Sequence, residues 1–281
     1  QFIEDRDLTA WFLLDLSPSI DFGSQRRKRE VSEAFVAVMA SLVLRHGNRA
    51  GAVLYGSSLD TVLPAKSGRM HVLHLLQRMR ARPSAAATGT TRLADLIERA
   101  RPSIKRRSAV FVVSDFISES GWEASMARLA QKHDVVAVRL YDPLEMQLPE
   151  LGMVLMQDAE TGEQIWVDTG ARGFRERFEA AAERREQELR TSLARAGVDT
   201  LEQRADAVAA REAACELRQM AVHRRDAAGM VDLDHVAVAA LATHEADLAV
   251  ARRMHRRADG CGVVHARVGA KAVQDRLASR R

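Results

Sequence analysis

The sequence predicts an α/β protein with a doubly wound, mostly parallel sheet and helices on both faces, followed by a helical or partly disordered C-terminal tail. Three observations predict this fold. Short, nearly unbroken apolar runs, such as residues 8–14, are typical of parallel strands that are covered on both faces. These runs alternate with segments of helical spacing, which indicates strands joined by crossover helices. The 281 residues are also 47% hydrophobic, enough for a buried core.

Each element follows from its apolar pattern and from the residues at its ends. The first strand stops at Pro18, which lacks the backbone N–H that strand pairing needs. Ser24 is placed to cap the first helix, which continues to a stop signal at residues 46–48. The other predicted elements are strands at residues 52–55 and 59–63, helices at 68–80 and 91–101, a strand at 109–113, a helix at 122–131, strands at 135–140, 153–156 and 164–167, a helix at 172–196 and an edge strand at 198–201.

The composition changes at about residue 203, after which the chain has no aromatic residue and no proline. We therefore predict a domain at residues 1–202 and an Ala/Arg-rich tail at residues 203–281. The tail is interpreted as a loose helical appendage, a partly disordered segment, or the product of a reading-frame change in GC-rich coding sequence. It holds 14 of the 42 Lys and Arg residues and 10 of the 38 Asp and Glu residues, so the first 202 residues are neutral. Because no aromatic side chain interleaves with the tail arginines, nucleic-acid binding is disfavoured.

The cysteines and the apolar runs indicate the compartment. Cys215 and Cys261 both lie in the tail without C-x-x-C spacing, which argues against a zinc site or a disulfide scaffold and fits a reducing environment. No uncharged apolar run reaches the ~18 residues of a membrane span, and no secretory signal is visible at the start. We therefore expect a cytoplasmic protein without a membrane span, and interpret the chain, which opens on Gln1, as a fragment or processed form.

Polar side chains stand at the ends of two predicted strands. Asp15 ends the first strand and opens the pattern Asp-x-Ser-x-Ser, which places Ser17 and Ser19 at alternate positions. Asp115 follows a later strand, and Thr91 opens a helix after a small-residue loop. Doubly wound sheets bind ligands beyond the carboxyl ends of their strands, near the point where strand order reverses. Two carboxylates and three hydroxyls form an all-oxygen set that suits Mg²⁺ or Mn²⁺ and not zinc.

These five residues resemble the metal-ion-dependent adhesion site of von Willebrand factor A domains, and the resemblance covers about residues 8–200. In that family the motif combines Asp-x-Ser-x-Ser with a Thr from a second loop and an Asp from a third. The resemblance implies that Ser17, Ser19 and Thr91 coordinate the ion directly or through water, whereas Asp15 and Asp115 often act through water. It also implies that an Asp or Glu of a partner protein fills the open metal position. Thr90 competes with Thr91, but the Thr-x-Leu run into the helix favours Thr91.

Longer stretches narrow the resemblance to the bacterial domain-of-unknown-function family fifty-eight. Five segments are similar to that family: RDLTAWFLLDLSPSIDFG, HGNRAGAVLYG, SAVFVVSDF, HDVVAVRLYDPLE and LPELGMVLMQDAETGEQIWVDT. Members carry an A-type domain and are commonly encoded beside MoxR-type AAA+ ATPases, so the resemblance implies that the ATPase or its client is the partner. The chain departs from the family in lacking its upstream region and in its long tail.

The leading hypothesis is a non-enzymatic, cation-dependent protein-interaction module that acts with the ATPase in protein assembly or maturation. One alternative is a Mg²⁺-dependent phosphoester hydrolase that uses Asp15 and Asp115, and another is a scaffold without metal. Ser17 stands where a haloacid dehalogenase-type phosphatase carries its second aspartate, which disfavours that enzyme. The sequence contains no P-loop, so ATP hydrolysis would belong to a partner.

Other polar residues are predicted to be structural. Asp21 is interpreted as a solvated turn residue. His71 and His74 have i, i+3 spacing but no evident third ligand, so we expect surface or boundary histidines. The basic cluster at residues 105–107 is interpreted as a solvated connection before a strand.

Overall fold

Strand β1 (Thr9–Asp15) lies at the centre of a six-stranded sheet in the computed structural model, which describes residues 8–45, 47–56, 61–81, 91–159, 162–205 and 266–268. The elements that follow in chain order are α1 (Lys28–Arg45), β2 (Arg49–Tyr55), β3 (Thr61–Lys66), α2 (Arg69–Arg80), α3 (Leu93–Ala100), β4 (Ala109–Ser114), α4 (Trp122–Ala130), β5 (Asp134–Tyr141), α5 (Pro143–Met146), β6 (Met153–Asp158), β7 (Gln164–Asp168), α6 (Arg172–Arg195), β8 (Asp199–Arg204) and β9 (Ala266–Val268). Short 3₁₀ helices span Pro18–Asp21 and Arg101–Ser103.

The large sheet has the strand order β3-β2-β1-β4-β5-β8, and β3 is the antiparallel member. The chain runs outward from β1 through β2 to β3, and then returns to the other side of β1 with β4, β5 and β8. Strand order therefore reverses between β1 and β4, whose ends pair as Leu14 with Val113. This is the doubly wound arrangement, and it places Asp15 and Asp115 on either side of the switch point. The predicted fold class is confirmed.

Two apolar clusters cover the two faces of the sheet, because successive side chains of β1 point to opposite sides. Phe12 and Leu14 pack into the cluster that α1 and α2 cover, whereas Trp11 and Leu13 pack into the cluster under α3 and α4. The ring of Phe12 stacks on Phe111 of β4, with ring centroids 5.4 Å apart. Helices on both faces explain why the first strand reads as an unbroken apolar run.

A second, three-stranded sheet has the order β7-β6-β9 and its own small core. Strands β6 and β7, which correspond to the strands predicted at residues 153–156 and 164–167, form an antiparallel hairpin. Strand β9 belongs to the tail and pairs in parallel with β6, with Met156 opposite Ala266. The sequence predicts no strand there, so β9 differs from the expected helical or disordered tail. The rest of the tail from residue 206, and with it most of that expectation, lies outside the described residues.

One local prediction about a helix is wrong, and the sequence left the buried face of another helix undecided. Ser24 does not cap α1, which begins four residues later, and it instead bonds Asp142. Helix α2 buries Val72, Leu75 and Met79, whereas Met70 and Leu73, which also stand at helical spacing, are 75% and 48% exposed. Both sets have helical spacing, so the sequence could not decide which face meets the core.

Other boundaries agree closely with prediction. Helix α6 ends before Gly197, whose φ of +69° is a left-handed conformation that glycine adopts at low cost. Strand β8 runs two residues past the predicted domain boundary at residue 202. Within the described ranges, no helix combines the length and hydropathy needed to cross a lipid bilayer.

Candidate metal centre

Asp15 is fully buried at the carboxyl end of β1, and its carboxylate is held from two directions. Oδ1 accepts the backbone N–H of Ser17 at 2.9 Å, and Oδ2 accepts the hydroxyl of Ser114 at 2.7 Å. Ser114 is the last residue of β4, and its Oγ also accepts the N–H of Phe116 at 2.9 Å. The side chain is thus oriented by both strands at the switch point. A carboxylate oxygen has more than one lone pair, so both oxygens retain capacity to bind a cation.

The two serines of the Asp-x-Ser-x-Ser pattern lie next to each other. The 3₁₀ helix that starts at Pro18 turns the chain after β1, and this brings Ser17 Oγ within 3.0 Å of Ser19 Oγ. Both side chains are buried. The alternate spacing in the sequence therefore produces a pair of converging hydroxyls.

Asp115 follows β4 directly and is also buried. Its Oδ1 accepts the N–H of Ile117 at 3.0 Å, and its Oδ2 accepts the ammonium of Lys28 at 2.7 Å. The next residue, Phe116, has a φ of +56°, which is uncommon for a residue other than glycine. The chain therefore turns sharply immediately after Asp115, and the Ser114 hydroxyl holds that turn.

Thr91 is buried two residues before α3, and its loop is joined to the loop after Asp115. The carbonyl of Thr91 accepts the hydroxyl of Ser118 at 2.9 Å and the N–H of Glu119 at 3.0 Å. Ser118 Oγ in turn accepts the N–H of Leu93 at 2.9 Å. The second and third loops of the predicted set are therefore fastened together. The competing candidate, Thr90, lies outside the described residues.

Lys28 and Glu145 are residues of the centre that the sequence did not reveal. Lys28 is fully buried at the start of α1, and its Nζ donates to Asp115 Oδ2 and to Glu145 Oε1, each at 2.7 Å. Burial acts to lower the pKa of Lys28, but the two carboxylates outweigh it and the pKa is raised. Lys28 stands within a run of four basic residues, which is typical of a solvated surface segment, so the sequence did not single it out. Glu145 had a local signal, since Asp142-Pro143-x-Glu145 reads as a helix capping box.

A second polar contact ties the loop after β1 to α5. Asp142 caps α5, because its Oδ1 accepts the N–H of Leu144, while Glu145 Oε2 accepts the N–H of Asp142. Asp142 Oδ2 accepts both the N–H and the hydroxyl of Ser24, at 2.6 and 2.8 Å. We call this pair of bonds the Ser24–Asp142 clasp. It holds the segment that carries Ser17 and Ser19 against the end of β5.

The electrostatics of Asp15 reflect its surroundings. Burial, followed by the negative charge of Asp115, raises the pKa of Asp15 from 3.8 to about 6, although hydrogen bonds from Ser114 and Ser17 oppose the shift. Two buried carboxylates thus repel each other across the switch point. Carboxylate and hydroxyl oxygens are the donors that Mg²⁺ and Mn²⁺ prefer, so the residues fit a hard cation. In the described part of the chain no three His, Cys, Asp or Glu side chains cluster as metal ligands, so hydroxyls would have to complete the set.

The remaining polar predictions have mixed outcomes. Asp21 is not a solvated turn residue, because its buried carboxylate pairs with Arg29 at 2.8 Å. His71 Nε2 lies 2.9 Å from the carbonyl of Ala50, whereas His74 contacts Arg78 on the surface of α2, so both histidines have structural contacts. In the basic cluster before β4, Arg107 forms an exposed ion pair with Asp134 at 2.9 Å.

The fold and the site together define a doubly wound α/β domain in which buried carboxylates and hydroxyls, those of Asp15, Ser17, Ser19 and Asp115, follow the carboxyl ends of β1 and β4 at the switch point. The sequence matches the family described as "Protein of unknown function DUF58" over residues 1–188. The chain therefore belongs to the DUF58 family, which confirms the family resemblance seen in the sequence.

Curated relatives occur in mycobacteria. "Uncharacterized protein Rv1480" of Mycobacterium tuberculosis (strain ATCC 25618 / H37Rv) is 35% identical over 163 residues, which cover 58% of this chain and 51% of that protein. "Uncharacterized protein MAV169" of Mycobacterium avium is 35% identical over 102 residues, which cover 36% of this chain and 60% of that protein. The chain spans about half the length of Rv1480.

Solved structures with a distant likeness include two from Bacteroides. BatB from Bacteroides thetaiotaomicron is 15% identical with a TM-score of 0.48, covering 76% of this chain and 99% of that chain. An aerotolerance-related membrane protein from Bacteroides fragilis NCTC 9343 is 15% identical with a TM-score of 0.49, covering 77% of this chain and 97% of that chain. The SpRpn10 VWA domain is 12% identical with a TM-score of 0.40, covering 71% of this chain and 89% of that chain. At these values the similarities concern the fold and say nothing about what the chain binds.

Proposed function

We propose that this chain is a divalent-cation-dependent protein-interaction module whose ligand set for Mg²⁺ (or Mn²⁺) is Asp15, Ser17, Ser19, Thr91 and Asp115. The observation that carries the proposal is the placement of two buried carboxylates, Asp15 and Asp115, at the carboxyl ends of adjacent strands beside a pair of buried hydroxyls. Lys28 matches the charge of Asp115, whereas the carboxylate of Asp15 is bonded by the neutral Ser17 N–H and Ser114 hydroxyl. A buried carboxylate without a matching positive charge is costly, so this arrangement favours a bound cation.

The chemistry of the donors supports adhesion as the use of the site. The hydroxyl ligands are neutral, so a divalent ion held here would keep enough positive charge to attract a carboxylate from outside. The chain's own residues orient the donors: the Ser17 N–H and the Ser114 hydroxyl fix Asp15, while the Ile117 N–H and Lys28 fix Asp115. The partner group that fits such a site is an Asp or Glu side chain on a protein surface.

The partner and the setting follow from the family resemblance. A MoxR-type AAA+ ATPase or its client offers the acidic residue, and the pair acts in protein assembly or maturation in the cytoplasm. Because the sequence has no P-loop, the ATPase supplies nucleotide hydrolysis, and this chain contributes binding and not catalysis.

The metal site is tested by calorimetric titration of Mg²⁺ and Mn²⁺ into the wild-type chain and into Asp15→Ala. We expect saturable binding by the wild type that Asp15→Ala loses, because the variant lacks a central carboxylate. Asp168→Ala is the matched control, since Asp168 is an exposed aspartate on β7 in the other sheet. Equal binding by the wild type and Asp15→Ala would show that the ion binds elsewhere and would reject the site.

The adhesion role is tested by pull-down with a purified MoxR-type ATPase in Mg²⁺ and in EDTA. We expect capture in Mg²⁺, loss of capture in EDTA, and loss in Asp15→Ala but not in Asp168→Ala. Capture that is indifferent to EDTA would favour the scaffold without metal. Turnover of phosphoester substrates by the wild type that Asp115→Ala abolishes would favour the hydrolase instead.

A further inference from the structure

Lys28 is a buried ammonium that donates hydrogen bonds to two carboxylates of the candidate metal centre and also lies 5.9 Å from the ring centroid of Phe22. Its side chain is fully buried, and its two bonds of 2.7 Å have the length of charge-assisted hydrogen bonds. They join three parts of the chain: the start of α1, the end of β4 and helix α5. A lysine is rarely buried unless its charge is compensated, so this position is specific and not a solvated surface position.

The charges around Lys28 do not balance. Asp115 and Glu145 both bond Lys28, and the buried Asp15 lies close enough to Asp115 for the two carboxylates to repel each other. Among the described residues, three carboxylates thus face one ammonium, while the nearby Arg139 is paired with Glu186. The fourth acid nearby, Asp142, is met by neutral N–H and O–H donors. Lys28 therefore offsets part of the negative charge, and the negative charge that remains can attract a further cation.

Asp115 is shared between two roles. Its Oδ2 already accepts Lys28, and the same carboxylate belongs to the proposed ligand set. An ion held between Asp15 and Asp115 would lie close to the ammonium, and like charges in a buried site repel strongly. The ammonium must therefore weaken the binding of the ion, while it holds Asp115 and Glu145 in place when no ion is bound.

We propose that Lys28 is an internal counter-cation of the metal centre. Its charge keeps the affinity for the divalent ion low and stabilises the folded chain when no ion is bound. The inference rests on the proposed function. Its consequence is that ion and partner bind cooperatively: a partner's carboxylate adds the negative charge that Lys28 has offset, so the ion is held firmly when that carboxylate is present. Lys28 is thus a positioning residue that sets the affinity of the site.

The test compares Mn²⁺ binding by the wild type and by Lys28→Gln, which keeps a hydrogen-bond donor and removes the charge. We expect Lys28→Gln to bind Mn²⁺ at least about tenfold more tightly in calorimetry. In thermal unfolding, we expect its melting temperature to fall in EDTA and to rise on adding Mn²⁺ by more than that of the wild type. A lysine that only fastened loops together would lower the melting temperature without tightening Mn²⁺ binding.

Two controls isolate the charge. Lys28→Arg keeps the positive charge and is expected to bind Mn²⁺ like the wild type. Lys66→Gln removes an exposed lysine beside Ala50, at the opposite end of the sheet from Asp15, and is expected to change nothing. If Lys28→Gln does not fold, the double variant Lys28→Gln/Glu145→Gln removes the whole ion pair, and it is expected to bind Mn²⁺ more tightly than Glu145→Gln alone.

The outcomes separate this inference from the proposed function. Mn²⁺ binding by the wild type that is lost in Asp15→Ala, together with equal or weaker binding by folded Lys28→Gln, would overturn the role of Lys28 and leave the metal centre standing. Absence of Mn²⁺ binding by the wild type and by Lys28→Gln would overturn both proposals.

Discussion

At the scale of single residues, Ser114 links Asp15 to the turn after β4, because its hydroxyl donates to Asp15 Oδ2 and accepts the N–H of Phe116. Ser114→Ala leaves a buried carboxylate oxygen and a buried N–H without these partners. We expect a loss of about 1–3 kcal/mol in the free energy of unfolding, measured by urea denaturation. We also expect about tenfold weaker Mn²⁺ binding, because an unsupported ligand is less well oriented.

Ser120→Ala is the control for this substitution, since Ser120 is exposed in the same loop region. Its free energy of unfolding should stay within about 0.5 kcal/mol of the wild type. If Ser114→Ala is as stable as Ser120→Ala, the two hydrogen bonds contribute little and the orientation of Asp15 must come from its burial alone.

At the scale of elements, the Ser24–Asp142 clasp joins the segment after β1 to helix α5. Asp142→Ala removes both the helix cap and the clasp, so we expect a loss of about 2–3 kcal/mol in the free energy of unfolding. Ser24→Ala removes the hydroxyl bond and keeps the backbone bond, so we expect about 1 kcal/mol. The measurement is a double-mutant cycle by urea denaturation.

The cycle decides whether the contact acts between the two elements. Because Ser24 and Asp142 share one contact, the double variant should lose less stability than the sum of the single losses. Strict additivity would mean that α5 and the segment after β1 are stabilised independently, and the clasp would then not position Ser17 and Ser19.

The elements also show which parts of the structure a sequence can predict. Strand β1 was predictable because a strand whose two faces are both covered by helices has an unbroken apolar sequence. The positions of Asp15 and Asp115 were predictable because each is the acidic residue at the end of such an apolar run. The place of Lys28 in the site was not predictable, because its contact with Glu145 joins residues 117 positions apart and leaves no local sequence pattern. Ser24 was misassigned for a related reason: a hydroxyl before a helix reads as a cap whether it bonds that helix or a distant carboxylate.

Asp21 and α2 extend the same lesson. Whether an acidic turn residue meets solvent or a buried partner such as Arg29 depends on packing that its neighbours in sequence do not encode. The face of α2 that meets the core is ambiguous where apolar residues stand at several helical phases, as Met70, Val72 and Leu73 do. Periodicity thus predicts that an element exists more securely than it predicts what the element touches.

At the scale of the whole molecule, the last strand that the described residues contribute to the large sheet is β8, which ends at Arg204. In the part of the chain that the structure describes, the buried residues of all three apolar clusters also lie at or before Ala205. The tail contributes β9, which pairs with three residues of β6 in the small sheet. The free energy of the main fold should therefore reside in the first 205 residues, because burial of apolar surface is its dominant favourable term.

A chain truncated after Ala205 is accordingly expected to fold, to melt cooperatively and to bind Mn²⁺ with the same dissociation constant as the full chain. The hydrogen bond from the N–H of Ala205 to the carbonyl of Tyr141 closes the edge of the sheet, so the cut falls after the last contact of β8. Limited proteolysis of the full chain should leave a resistant fragment that ends near this position, and mass spectrometry identifies its end. Circular dichroism compares the thermal unfolding of the truncated and full chains, and calorimetry compares their Mn²⁺ binding. Uniform resistance to protease, or weaker Mn²⁺ binding after truncation, would place the tail within the functional unit, and the domain boundary near residue 202 would then be wrong.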